Sequence, residues 1–277
     1  MSSPQAGSGV VVRRSRDRRP TAAGSEAPVE QRLREGDGTH RYDRLLAATT
    51  SSTRPLGRDD PRLSVPLFTL RESAAYLHTP ASTLHAWAHP KDGEPLVTVL
   101  PRDGRRATVP FVGFAEAFVL GALRGAGVPM QRIRPAVAEL STEIGLEHAL
   151  ASQRVYTDGA ELIFDYATQS DDEALLTVVR TGQQHFAQII RDYLKRITYG
   201  DDGWAERLRL PAYTKAEVTV DPRQAFGQPI VVHGGARVED LVDRFQAGDG
   251  FTEIAADFGV PAEEVEDVIR VALRLAA

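Results

Sequence analysis

The sequence predicts a mainly α-helical protein with small β-hairpins, and three observations carry that expectation. Between Leu67 and Leu150, apolar residues recur at helical spacing in successive segments broken by Pro80, Pro90 and the run Gly125 to Pro129. Asp-Gly pairs at 103–104 and 158–159 stand between short runs of β-formers, a strong short-range hairpin signal. Three further helical segments end the chain, the last two joined by Gly259-Val260-Pro261, a joint as tight as a helix-turn-helix uses.

With 277 residues and 42% hydrophobic content the chain can build a packed core, and two small domains plus a tail suit this length better than one large fold. It contains no cysteine, which excludes disulfides, a thiolate zinc site and a cysteine nucleophile, and makes the reducing cytoplasm the expected compartment. Met1 to Val12 lacks the apolar core of a signal peptide. No stretch approaches the roughly 18 apolar residues of a membrane span, so no membrane role is expected. The net charge of -5 hides a gradient: +4 over residues 1–62, zero over 63–150, -3 over 151–220 and -6 over 221–277. Such asymmetry points to different partners for the two ends.

Four regions follow. Residues 1–62 are rich in Ser, Gly, Pro, Thr and Arg, too poor in apolar side chains to offset the entropy of ordering, and read as a disordered basic tail. Within it, Tyr42 to Ala48 has the spacing of a short docking helix. Residues 63–150 read as a winged helix-turn-helix, 151–216 as a central α+β linker or interaction region, and 217–277 as a helical domain of helix-turn-helix type.

In the second region Leu70, Ala74 and Leu77 share a helical face, and Thr69 with Glu72 forms a capping box. Pro80 disfavours helix at Thr79 but suits the first turn of a new one, so a second helix follows over Ala81 to Ala88 with Leu84 and Trp87 inward. Leu96 to Leu100 and Ala107 to Pro110 read as the strands of a hairpin whose turn carries Arg102, Arg105 and Arg106. Helices are expected over Phe111 to Leu123 and Met130 to Leu150, the latter starting at Ile133 or bending there because of Pro135. In the central region Arg154 to Phe164 reads as a hairpin, Leu175 to Val179 as a strand and Gln183 to Ile197 as an amphipathic helix. The last region opens with strands near Val218 to Val220 and Ile230 to Val231. Helices over Val238 to Phe245, Thr252 to Phe258 and Ala262 to Leu275 complete it.

Helix, tight turn, helix and basic hairpin together make a DNA reader. Side chains near the amino end of the second helix, Ser82, Thr83 and His85, would meet base edges in the major groove. Arg102, Arg105 and Arg106 would meet phosphates or the minor groove. The tail cluster Arg13, Arg14, Arg16, Arg18 and Arg19 admits three readings: a solvated arm, a grip on phosphates, or guanidinium pairing with the carboxylates of an acidic partner. Glu263, Glu264, Glu266 and Asp267 crowd the first turns of the last helix, giving an acidic face suited to protein contacts rather than to a DNA groove.

The run Thr69 to Leu77 followed by Pro80 to Trp87 resembles the winged helix-turn-helix of the MerR superfamily, with His85 where that family commonly has arginine. Asp221-Pro222, Phe226 to Pro229, Gly234 to Val238 and Ile254 to Glu266 resemble a small domain-of-unknown-function family found in bacterial antitoxins. From about Leu67 onward the chain thus looks like VapB-type antitoxins that carry both modules. That resemblance implies autoregulatory binding to a double-stranded DNA operator and neutralisation of a PIN-domain ribonuclease toxin, to which the tail arginines are a candidate contact. A homodimer is expected, since symmetric operators suit two-fold pairs. The other reading is a stand-alone regulator of MerR type with a carboxy-terminal dimerisation domain.

Nothing in the sequence indicates an enzyme. The seven histidines are scattered without metal-ligand spacing, and the glycine pairs fit no phosphate loop, so neither a metal nor a cofactor is expected. Asp171-Asp172-Glu173 and Asp201-Asp202 read as solvated loops more readily than as cation sites.

Overall fold

The structure is a computed structural model that describes residues 55–101, 107–144, 147–155 and 192–276. The described residues are mainly helical with two small antiparallel sheets. A short helix α1 (Pro61–Ser64) leads into β1 (Pro66–Phe68), followed by α2 (Leu70–Tyr76) and α3 (Ala81–Ala88). Then come β2 (Val109–Pro110), α4 (Phe111–Gly125) and α5 (Met130–Ile144). β1 pairs antiparallel with β2.

The predicted helices α2, α3, α4 and α5 form, and their punctuation is as the residues demand. Thr69 Oγ1 accepts the Glu72 N–H while Glu72 Oε2 accepts the Thr69 N–H, the reciprocal cap expected. α5 begins at Met130, and Pro135 is accommodated inside the helix. Two expectations are corrected. Leu96 to Leu100 is not a strand: Leu96 and Val97 are drawn into the core, the Leu96 N–H donates to the Trp87 carbonyl and the Thr98 N–H to Glu116. Burial and these acceptors replace the ladder that the β-forming residues suggested, so β2 pairs with β1 instead. α5 also stops before Leu150, where Ala149–Ala151 forms a 3₁₀ turn after His148 in left-handed geometry.

The second sheet holds four antiparallel strands in the order β3 (Ile197–Tyr199), β4 (Ala205–Arg209), β5 (Val218–Val220) and β6 (Ile230–Val231). Leu208 sits opposite both Ile197 and Val220, and Val218 opposite Val231, which places a continuous apolar row in the core. Ile197 therefore belongs to a strand rather than to the end of a helix. Of the hairpin expected over 154–164 and the helix expected over 183–197, residues 156–164 and 183–191 lie outside the described residues, as does the strand expected over 175–179.

The three closing helices are α6 (Val238–Gln246), α7 (Phe251–Phe258) and α8 (Ala262–Ala276), packed on one another with Leu241, Ile254, Val265 and Val268 fully buried. α8 also touches α2, and Gly227 lies against Leu67 of β1. Gly227 closes a left-handed turn in which Ala225 (φ 44°), Phe226 (φ 56°) and Gly227 (φ 78°) all have positive φ, leaving Phe226 exposed.

The acidic face expected on α8 is partly internal. Asp267 is 1% exposed, and its carboxylate accepts the backbone N–H groups of Thr214, Lys215 and Ala216, tying the β4–β5 connection to the helix. Burial raises its pKa, but those bonds outweigh that and hold the carboxyl below its ordinary 3.8. Glu264 is likewise buried, beside His233. Asp202, one half of a pair weighed as a cation ligand, is taken by Arg62 (Nη2–Oδ2 2.6 Å) and by the Trp204 N–H.

Candidate nucleic-acid interface

The joint between α2 and α3 is built by residues that end one helix and start the next. Leu77 donates back to the Ser73 carbonyl, His78 enters left-handed geometry (φ 52°) and the Thr79 N–H returns to the Ala74 carbonyl at 2.8 Å. Pro80, extended, then opens α3. Leu84 and Trp87 bury against the core, 0% and 4% exposed, which fixes the roll of α3 about its axis. That roll leaves Ser82 and His85 exposed and Thr83 half-buried at the rim of a cavity. The structure thus brings Ser82, Thr83 and His85 onto the outer side of one helix. The His85 ring lies 5.0 Å from that of His89.

Arg102, Arg105 and Arg106 lie outside the described residues, but both ends of their segment are held. The Leu100 N–H donates to the Thr108 carbonyl at 2.7 Å, and the Thr108 N–H to the Phe68 carbonyl at 3.0 Å. The arginines 13, 14, 16, 18 and 19 also lie outside the described residues.

A buried clip at Thr98 was not among the sequence expectations. Glu116, 4% exposed and the sole carboxylate on α4, accepts the Thr98 N–H at 2.6 Å, and its other oxygen stands 3.0 Å from His148 Nδ1. Thr98 Oγ1 is 2.8 Å from the same nitrogen. The hydrogen bond to Glu116 raises the His148 pKa above 6.5, against burial, which lowers it. The signal that could have pointed to it is a lone carboxylate inside an apolar helical run. Gly113 completes the contact, since a Cβ there would stand 2.0 Å from the Thr98 carbonyl oxygen.

Charge is distributed unevenly over the described residues. Beyond residue 200 nearly every arginine is paired with a carboxylate, as in Arg207–Asp221, Arg237–Asp240, Arg244–Asp257 and Arg270–Glu266. Arg71, Arg124, Arg132, Arg134 and Arg196 have no carboxylate of the described residues within ion-pair distance. Among the described residues no cluster of His, Asp or Glu has the arrangement of a metal site, and no helix is long and apolar enough to cross a membrane.

A capped helix, a tight turn and a second helix with a buried inner face and polar outer face define a DNA-binding protein of helix-turn-helix type, and residues 66–137 match the family described as "Putative DNA-binding HTH domain". Residues 218–272 match "Protein of unknown function (DUF433)". The chain is 42% identical over 226 residues to "Putative antitoxin VapB45" of Mycobacterium tuberculosis strain H37Rv, covering 75% of this chain and 94% of that protein. It is also 42% identical to Rv2018 from Mycobacterium tuberculosis, whose crystal structure superposes with a TM-score of 0.64 over 75% of this chain and 99% of that one. The chain belongs to this family of VapB-type antitoxins.

Proposed function

We propose that this protein is the antitoxin of a type II toxin–antitoxin system, acting in the cytoplasm as a non-enzymatic homodimer. It represses its own operon by binding a double-stranded operator and neutralises a PIN-domain ribonuclease. The observation that carries the DNA half is the roll of α3: Leu84 and Trp87 anchor it, so Ser82, Thr83 and His85 are free to meet base edges. Arg102, Arg105 and Arg106 supply phosphate contacts from the wing. The antitoxin half is supported by the relative named as a VapB antitoxin. The residues ahead of α1 then serve as a basic arm whose Arg13, Arg14, Arg16, Arg18 and Arg19 engage the acidic toxin. Residues 63–150 read DNA, 151–216 link, and 217–277 mediate protein contact.

Co-expression with the adjacent reading frame tests the toxin half. The expected result is a co-purified complex and relief of the growth arrest that the neighbour causes alone. A neighbour of no toxicity, or one that fails to co-purify, overturns it and leaves a stand-alone regulator. For the DNA half, a binding-site selection should return one preferred motif, and random recovery would sink the operator role.

A further inference from the structure

The amino-terminal turn of α3 forms one wall of a cavity of about 650 Å³. Thr79, Pro80 and Thr83 line it from the helix-turn-helix joint, Arg124 from the last turn of α4, and Arg196 from the residues just ahead of β3. We infer that Arg124 and Arg196 form a second, sequence-independent phosphate-binding site that extends the DNA interface beyond the helix-turn-helix match into the central region; this rests on the DNA-binding reading above.

The two guanidinium groups are available for such a role. Arg124 is exposed, and among the described residues its side chain bonds to the Val128 carbonyl alone, 2.7 Å from Nη1, which leaves its full charge uncompensated. Arg196 is half-buried at the cavity wall, with no hydrogen-bond acceptor or carboxylate for its side chain among the described residues. The acid lining the cavity, Asp192, is engaged by Lys195 at 2.8 Å. Neither guanidinium faces a carboxylate of the described residues, so each can form charge-assisted hydrogen bonds to an external anion. Helix-turn-helix proteins read bases with the amino end of the second helix while flanking groups hold the backbone. Thr83, Arg124 and Arg196 line the same cavity, so a phosphodiester strand lying along it past Thr83 is placed beside both arginines. The charge contrast agrees, because beyond residue 200 the arginines are almost all paired with carboxylates, whereas these two have no such partner among the described residues.

The test measures affinity for a random-sequence duplex as a function of salt, using the full chain. Removing one phosphate-binding cation should flatten the slope of log K against log salt by roughly 0.9, so Arg124→Gln with Arg196→Gln should reduce it by about 2. Arg196→Gln alone, which breaks no side-chain hydrogen bond among the described residues, should flatten it by roughly 1, and Arg196→Lys should restore most of the slope. The motif recovered in a binding-site selection should be that of the parent protein. An unchanged slope in the double variant, with parent protein binding normally and both melting alike, overturns the assignment while sparing the DNA-binding reading. Failure of the parent protein to bind any duplex overturns both.

Discussion

Gly227 lies directly under Leu67: a Cβ added to Gly227 would stand 2.6 Å from Leu67 Cδ2. This seam joins β1, at the start of the helix-turn-helix block, to the left-handed turn ahead of β6, 160 positions along the chain. Gly227→Ala combines a positive φ that disfavours a side chain with overpacking of a buried leucine. It should cost about 2–4 kcal/mol, read as a lower midpoint in urea; an unchanged midpoint would show that the two ends do not depend on this seam.

The second expectation separates folding from reading on α3. Trp87→Ala empties a buried site and should cost roughly 3–5 kcal/mol. Thr83→Ala with His85→Ala removes a group at the cavity rim and an exposed ring, neither part of the packed core, so the melting curve should stay in place while the preferred base pairs change, each contact being worth about 1–3 kcal/mol. A selection returning the parent motif would move base reading away from α3.

Gly113 offers a third test, this time of the wing's support. Alanine there would drive a Cβ to 2.0 Å from the Thr98 carbonyl oxygen, and backbone cannot yield as a flexible side chain would. Gly113→Ala should destabilise by about 3 kcal/mol or more and loosen the Leu100–Thr108 hydrogen bond, read as faster amide exchange at Leu100. A neutral melting temperature would mean that the α4 contact with residue 98 is dispensable.

The clip of Glu116 and His148 gives a pH dependence. Because the folded His148 pKa is raised above 6.5, the stability it adds is fully present below that value and is lost as pH rises through the folded value. Glu116→Gln removes the carboxylate whose hydrogen bond raises the His148 pKa, so the loss of stability as pH rises above 6.5 should shrink. Parallel stability–pH profiles for the parent protein and Glu116→Gln would rule the clip out as its source.

Asp267 behaves oppositely. Its folded carboxyl titrates below 3.8, so its contribution is present above that value and drains as pH falls through the lower one. Asp267→Ala strands three backbone N–H donors at Thr214, Lys215 and Ala216 and should cost about 3 kcal/mol at neutral pH. Equal acid midpoints for variant and parent would assign the acid transition to other carboxylates.

Local chemistry was legible wherever neighbours in sequence are also partners in space. Thr69 with Glu72 announces the start of α2, Pro80 the start of α3, and Leu84 with Trp87 its inner face, because caps and helical faces are set within a few residues. The three closing helices were readable for the same reason. The outward triplet Ser82, Thr83 and His85 follows from that periodicity alone.

Features that depend on distant partners emerged with the packed chain. Leu96 to Leu100 has the composition of a strand, yet the Trp87 carbonyl and the Glu116 carboxylate take N–H groups from it, and β2 pairs with β1. Asp267 and Glu264 look like a solvated acidic face until residues 51 and 31 positions earlier cover them. Arg124 and Arg196, 72 positions apart, share a cavity wall, a proximity no local period encodes. The helices and their faces were already written in the linear order of residues, since they rest on short-range hydrogen bonds and on the 3.6-residue repeat. Which buried polar group found which partner was settled by the closing of long loops, whose entropy and geometry belong to the whole chain.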